Sequence, residues 1–238
     1  MDINPALVIL PARGGSKRIT KKNIKIINNH PMIYWPLAEL KKKFNPEQII
    51  VSTDDAAIKK VVEKIDIKIP FIRPKNLSGD FIGTMDVALH ALNWYEDNIS
   101  NVDYVLVVYP TAVLLDLKDI FEAFKILQDD HACEGVFSAT TFAFPIQRAL
   151  FVNDDNYISM FEPKNYLTRS QDLVEAFHDA GQFYLYRTSA VRSLSNITNS
   201  KMKVVKLNRN KVIDIDTPED FEVAEKALKI FKSSTSLF

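Results

Sequence analysis

The sequence predicts an α/β fold with a mostly parallel sheet and helices on both faces. Three observations predict it. Short apolar runs rich in Val and Ile alternate with runs of helical period along the chain, the order that βαβ units produce. The apolar runs are continuous rather than alternating, as in strands covered on both sides. The composition, 47% hydrophobic and 25% charged over 238 residues, gives enough apolar surface for a packed core without disulfide or structural metal.

Each element follows from its local pattern. Residues 6–10 form a first strand, ended by Pro11, Gly14 and Gly15. Residues 31–44 space Ile33, Leu37 and Leu40 on one helical face. Residues 48–52 are the second strand, 56–65 a helix and 68–72 a strand candidate. Residues 84–94 form an amphipathic helix, and 102–109 (VDYVLVVY) the strongest strand in the sequence. Residues 117–127 place Ile120, Phe124 and Leu127 at core spacing. Residues 135–139, 182–186, 203–207 and 212–215 are further strands. Residues 221–231 close the fold as a helix, with a frayed tail from Lys232. The stretch 141–174, rich in Phe, Asn, Asp, Arg and Pro, breaks the alternation. It reads as a long functional loop or as an arm that packs on another subunit. No linker or repeat divides the rest, so residues 1–238 are expected to be one domain with an inserted arm.

Charge and cysteine content exclude several classes. Lys plus Arg and Asp plus Glu are each 30. A net charge of zero argues against a dedicated nucleic-acid binder. The single cysteine, Cys133, fits a reducing compartment and a buried, inert thiol. No run of about 18 apolar residues exists to span a membrane. The first apolar run is too short for a signal sequence, so the cytoplasm is the expected location.

Ligands in parallel α/β folds bind outside the carboxyl ends of the strands. The first such loop, 11–23, reads PARGGSKRITKKN. Gly14 and Gly15 permit tight turning, and successive N–H groups there can form an anion nest. Five cations, Arg13, Lys17, Arg18, Lys21 and Lys22, sit within ten positions. The physical reading is a polyphosphate ligand, against the alternative of a solvated basic turn. The spacing fits neither a Walker A loop nor a dinucleotide fingerprint. Farther on, Val212–Asp216 reads VIDID. Strand period sends Asp214 and Asp216 to one face, about 7 Å apart, and Ile213 and Ile215 to the other. Such a pair shares a hard cation or serves a turn. Thr217-Pro218-Glu219-Asp220 reads as an N-cap, a Pro at the first helical position and an acidic third position. That makes Asp220 structural. Asp54, after the second strand, either caps the next helix or touches ligand.

Taken in order, these motifs resemble the sugar-acid cytidylyltransferases, the family that makes CMP-activated sialic acids. The resemblance rests on PARGGSKRITKKN (11–23), VSTDD (51–55), RPKNLSGD (73–80), RSQDL (169–173), HDAGQFY (178–184) and IDIDTPEDF (213–221). FPIQRAL (144–150), GGSKRI (14–19), RSQDL and HDAGQFY look most like its pseudaminic acid branch. The resemblance implies a Rossmann-like nucleotide-diphospho-sugar transferase sheet with a protruding dimerisation arm. It also implies transfer of CMP from CTP to pseudaminic acid, with release of pyrophosphate, in nonulosonic acid glycan or flagellin glycosylation. Mg2+ would be the cofactor, with Mn2+ able to substitute, and the chain would be a homodimer. The rival readings are a CMP-N-acetylneuraminate, CMP-legionaminate or 3-deoxy-octulosonate cytidylyltransferase, or a nucleotide-binding protein without catalysis.

The same resemblance implies residue roles. Arg13, Gly14, Gly15, Ser16 and Lys17 would hold the triphosphate, Lys22 would lie near the α-phosphate, and Asn23 would face the nucleotide. Arg73 and Thr84 would lie near the cytosine. Asp214 and Asp216 would be metal ligands, and Arg13, Lys22 and Asp216 the catalytic group. Arg169 and Gln171, with Gln147 and Arg148, would reach the sugar acid. His178 is either a base on the sugar hydroxyl or a positioning group. Arg18 and Lys21 match no family role and read as solvated rim charges. One departure stands out. The Gln and Arg of the sialic acid synthetases' Q-P-T-S-P-L-R are Tyr109 and Leu115 here, which points to a less polar sugar pocket reached by Tyr109.

Overall fold

The first strand, β1 (Ala6–Pro11), sends Ala6, Val8 and Leu10 to one face of a sheet and Leu7 and Ile9 to the other, all of them buried. This is the two-sided burial that its continuous apolar run requires. The computed structural model describes residues 6–193 and 200–235. After β1 a short hairpin, β2 (Ile26–Ile27) and β3 (His30–Pro31), leads to helix α1 (Tyr34–Leu40). Then come β4 (Ile49–Ser52), α2 (Ala56–Glu63), α3 (Thr84–Asn98), β5 (Tyr104–Val108), α4 (Leu117–Asp129) and β6 (Gly135–Thr141). A second hairpin, β7 (Leu150–Val152) and β8 (Ile158–Met160), precedes the long β9 (Phe177–Arg187). The chain ends with α5 (Thr188–Ser193), β10 (Met202–Lys206) and α6 (Pro218–Thr235).

Six strands make the main sheet in the order β10-β6-β9-β5-β1-β4. The pairs β1–β4, β1–β5 and β6–β10 are parallel, while β9 runs antiparallel between β5 and β6. The sheet is therefore mostly parallel, as the alternating pattern predicts. Leu37 and Leu40 of α1, Ile58 and Val62 of α2, and Ile120, Phe124 and Leu127 of α4 cover one face. Ala88, Leu92 and Tyr95 of α3 cover the other. Each fully buried Leu, Ile or Phe contributes roughly 1.5–3 kcal/mol, so α4 is anchored by its core stripe rather than by helix propensity. A third cluster packs Phe221, Ala224 and Leu228 of α6 against Ile19, Ile27, Met32 and Ile215.

Three expectations fail locally. Residues 31–44 are helical only over Tyr34–Leu40. The N–H groups of Met32 and Ile33 donate instead to Lys25 and Asn23 carbonyls, and Pro31 pairs with Ile26 in the hairpin. Residues 68–72 form no strand beside the edge strand β4. Pro70 has no N–H to give a ladder, and Arg73 N–H makes the contact, to Thr53 O at 2.8 Å. Residues 212–215 form no strand either. They run extended because Ile213 and Ile215 drop into the third core cluster, so packing sets the two-residue period without a ladder. At the other end, α6 continues to Thr235, past the expected fraying at Lys232; residues 236–238 lie outside the described residues.

Between β6 and β9 the segment carrying β7 and β8 packs mainly on itself, with the Phe151 and Phe161 rings 4.8 Å apart. It leaves Phe144, Val152, Tyr157, Ile158 and Leu167 exposed. Among the described residues no helix is long and apolar enough to cross a membrane.

Candidate active site

In the strand order, β1 is flanked by β4 on one side and β5 on the other. The chain thus reverses its direction of growth at β1, and a crevice opens at the carboxyl ends of β1 and β5. A cleft lies there. Pro11 ends β1 at its wall, and Tyr109 and Pro110 follow β5 at the opposite wall. Arg13, Ser16, Lys22 and Asn23 come to it from the first loop, and Arg73, Ile82, Thr84 and Val87 from the segment that leads into α3. Seven of the residues singled out in the sequence thus share one cleft.

The first loop is pinned from several sides. Gly14 N–H donates to Asp54 Oδ1 at 2.9 Å, so Asp54 holds the loop while its neighbour Asp55 caps α2 through Ala57 and Ile58 N–H. Asn23, buried, donates its Nδ2 to Arg13 O at 2.9 Å and so braces the loop from beneath. Gly14 also packs directly on Asp55. A Cβ there would stand 2.6 Å from Asp55 Oδ2 and 2.8 Å from its Cβ, whereas a Cβ on Gly15 would meet nothing within 4 Å. Gly14→Ala is therefore expected to cost about 1–3 kcal/mol, by forcing the cap aside. Gly15→Ala should stay within about 0.5 kcal/mol. Urea denaturation of the two variants checks the contrast.

The cations of the loop face two carboxylate groups. Arg13 Nη1 and Lys17 Nζ each lie 2.5 Å from a different oxygen of Asp80. Lys22 Nζ donates to Ile215 O at 2.7 Å and to Asp216 Oδ1 at 3.2 Å. Arg18 Nη2 reaches Asp216 Oδ2 at 2.8 Å with its side chain 68% exposed, so Arg18 is solvated, as the sequence suggests, and is also a partner of Asp216. Partial desolvation of its carboxyl, and next the like charge of Asp216, push the pKa of Asp214 up. A cation is the ligand such a pair favours. Among the described residues no three His, Cys, Asp or Glu side chains group together as a metal cage. Two carboxylates beside a basic loop would suit Mg2+, a hard cation that is commonly held by one or two carboxylates together with substrate phosphates. The capping box reads as the sequence predicts: Thr217 N–H and Asp216 N–H donate to Asp220 Oδ2, and Asp220 N–H to Thr217 Oγ1. Asp220 is thereby committed to the start of α6.

The rest of the cleft is tightly bonded. Arg73 is buried, and its guanidinium donates to Ser52 Oγ at 3.0 Å and to Ser52 O. It forms a wall fixed to the end of β4, and its burial lowers its pKa. The Tyr109 and Thr84 hydroxyls meet at 3.0 Å. The antiparallel course of β9 brings its amino end, rather than its carboxyl end, to this edge of the sheet. Asp179 arrives there, accepting from Gly181 N–H at 2.8 Å and from the Tyr184 hydroxyl. Desolvation raises its pKa, and the charge of Asp214 adds to the rise. Asp179 thus lies within electrostatic reach of Tyr109 and Asp214, a neighbourhood the sequence does not reveal.

Of the residues singled out for the sugar, Tyr109 lines this cleft; the others do not. Gln147 and Gln171 line a separate cavity between residues 141–147 and 170–176. There Gln147 Nε2 donates to Val174 O at 2.7 Å and its Oε1 is buried without a partner. Arg148 and Arg169 are exposed on the 141–174 segment. His178 is exposed, with Nδ1 2.9 Å from Asp179 O and its ring 4.9 Å from that of Phe142. Cys133 is buried, as expected, and its Sγ donates to Gly135 O.

Residues 7–234 match the family model described as Cytidylyltransferase. A pseudaminic acid cytidylyltransferase of Campylobacter jejuni subsp. jejuni serotype O:2 is 38% identical over 227 residues, 94% of this chain and 96% of that protein. A CMP-N,N'-diacetyllegionaminic acid synthase of Legionella pneumophila is 25% identical over 232 residues, 94% of this chain and 96% of that protein. Among solved structures, a CMP:2-keto-3-deoxy-manno-octonic acid synthetase complexed with CTP superposes with a TM-score of 0.69 at 17% identity. The match covers 96% of this chain and 99% of that one, and its likeness is one of fold.

Proposed function

The chain belongs to the cytidylyltransferase family, and from that premise we propose that it transfers CMP from CTP to pseudaminic acid and releases pyrophosphate. The observation that carries the proposal is Lys22. Its ammonium lies at the junction of the basic first loop and the Asp214–Asp216 pair, bonded to Ile215 O and Asp216. A phosphoryl group between loop and carboxylates would meet the cation where charge develops. The choice of sugar acid follows the 38% identity to the Campylobacter protein over nearly the whole chain. Tyr109 in place of a polar Gln agrees with a deoxygenated sugar.

In this reading the anomeric hydroxyl of the sugar acid attacks the α-phosphorus of CTP. Arg13 and Lys17, with Ser16 and the glycine backbone, hold the leaving pyrophosphate. Lys22 stabilises the α-phosphoryl oxygens. Asn23 keeps the Arg13 carbonyl turned inward and thereby orients the loop. Thr84 and the fixed wall of Arg73 enclose the base, and Tyr109, bonded to Thr84, faces the sugar acid. Asp214 and Asp216 would hold Mg2+, or Mn2+ in its place; when bound, the ion supplies charge neutralisation and orientation of phosphate oxygens. The acceptor side falls to Gln147, Arg148, Arg169, Gln171 and His178. The open acceptor of Gln147 Oε1 and the bidentate fork of Arg169 suit a hydroxylated carboxylic acid.

Apolar side chains of 141–174, among them Phe144, Val152, Tyr157, Ile158 and Leu167, stand exposed, as at a surface that another protein covers. We read this segment as the contact between two copies of the chain, within one domain over residues 1–238 that works in the cytoplasm. With CTP, pseudaminic acid and Mg2+, the expected product has the mass of the CMP-sugar. Chelation of the metal should stop its formation, and added Mg2+ should restore it. Undiminished product in excess chelator would remove the metal role of Asp214 and Asp216.

A further inference from the structure

We infer that Asp80 is an internal stand-in for the triphosphate: it neutralises Arg13 and Lys17 before a polyphosphate binds and gives up both when one enters. This rests on the reading of the cleft as a CTP site and adds the residue that sets its affinity. The geometry is that of a bridging oxyanion. The two oxygens of one carboxylate each meet one cation at 2.5 Å, across 67 and 63 positions of sequence. The hydrogen bonds from Lys17 and Arg13 hold the Asp80 carboxyl below the usual range, so it stays charged at neutral pH.

The partners are built to exchange. Arg13 and Asp80 are about 40% exposed and Lys17 is 79% exposed, and exposed pairs are individually weak. A triphosphate brings several charges to the same two cations and displaces a single carboxylate. Asp80 also sits in an irregular strap between Gly79 and Gly83, just before α3. Next to it Phe81 is fully exposed and Ile82 lines the cleft. Loss of the two ion pairs therefore frees a strap that already carries one wall residue of the base site. The apparent affinity for CTP is the intrinsic affinity reduced by this internal competition.

The test titrates inorganic tripolyphosphate, without metal, into the wild-type protein and into Asp80→Asn and Asp80→Ser, by calorimetry. Both variants should bind about threefold to tenfold more tightly than wild type, the range that loss of two exposed pairs allows. In turnover, KM for CTP should fall in Asp80→Asn by more than kcat changes. Wild-type binding that either variant fails to improve would overturn the stand-in and leave the CTP reading intact. Absence of tripolyphosphate and CTP binding in all three proteins would overturn both.

Discussion

Asp216→Asn is expected to lower turnover about a thousandfold or more, the scale of losing an electrostatic centre at a phosphoryl group, while the protein stays folded. The argument is one of charge. Asp216 meets Arg18 at 2.8 Å and Lys22 at 3.2 Å and shares its surroundings with Asp214. The amide keeps the shape, its Oδ1 can still accept from one of the two cations although its NH2 cannot accept from the other, and the backbone N–H bond to Asp220 is untouched, so the loop and α6 should stay in place. It removes one of the two negative charges that would hold a divalent cation. Because the Asp216 side chain is 30% exposed, loss of its pairs should cost no more than about 1 kcal/mol of stability. Circular dichroism melting and steady-state turnover on the same preparation separate the two effects. Near-wild-type turnover would remove Asp216 from the metal site.

Lys22→Ala should have the second large effect, a fall of about a hundredfold to a thousandfold in kcat, as for removal of a preorganised donor. Its side chain is 20% exposed, and its Nζ holds Ile215 O as well as Asp216. Removal therefore loosens the carbonyl that fixes the acidic segment and takes the cation from the phosphoryl position. Lys22→Arg should not restore the rate. A planar fork cannot place one point charge on a backbone carbonyl and a carboxylate as an ammonium does. If Lys22→Ala raised KM for CTP with kcat unchanged, Lys22 would be a binding residue and not part of the chemistry.

Much of this architecture was legible because it is set locally. The two-sided burial of β1, the core stripe of α4 and the Thr217–Asp220 capping box each follow from residues a few positions apart, and each stands where the sequence predicts. What was illegible depends on distant partners. Nothing within FHDAGQFYLYR says that β9 enters the sheet antiparallel between β5 and β6, and that direction is what brings Asp179 within reach of Asp214 and Tyr109. The VIDID pattern predicts a strand, yet its period comes from Ile213 and Ile215 packing under α6. The helix expected from residue 31 starts late because Asn23 and Lys25 carbonyls take the N–H groups of Ile33 and Met32. In the site, the cations were evident from the sequence, but their partners were not: Asp80 and Asp216 lie 67 and 194 positions from the groups they meet.

The most direct test of the account is pyrophosphate release with Mg2+ and CTP, with pseudaminic, N-acetylneuraminic, legionaminic and 3-deoxy-octulosonic acids assayed in parallel and ATP, GTP and UTP as controls. The account predicts release with CTP and pseudaminic acid, and little with the other acids or nucleotides. Folded protein that binds CTP but releases no pyrophosphate with any of the four acids would contradict it.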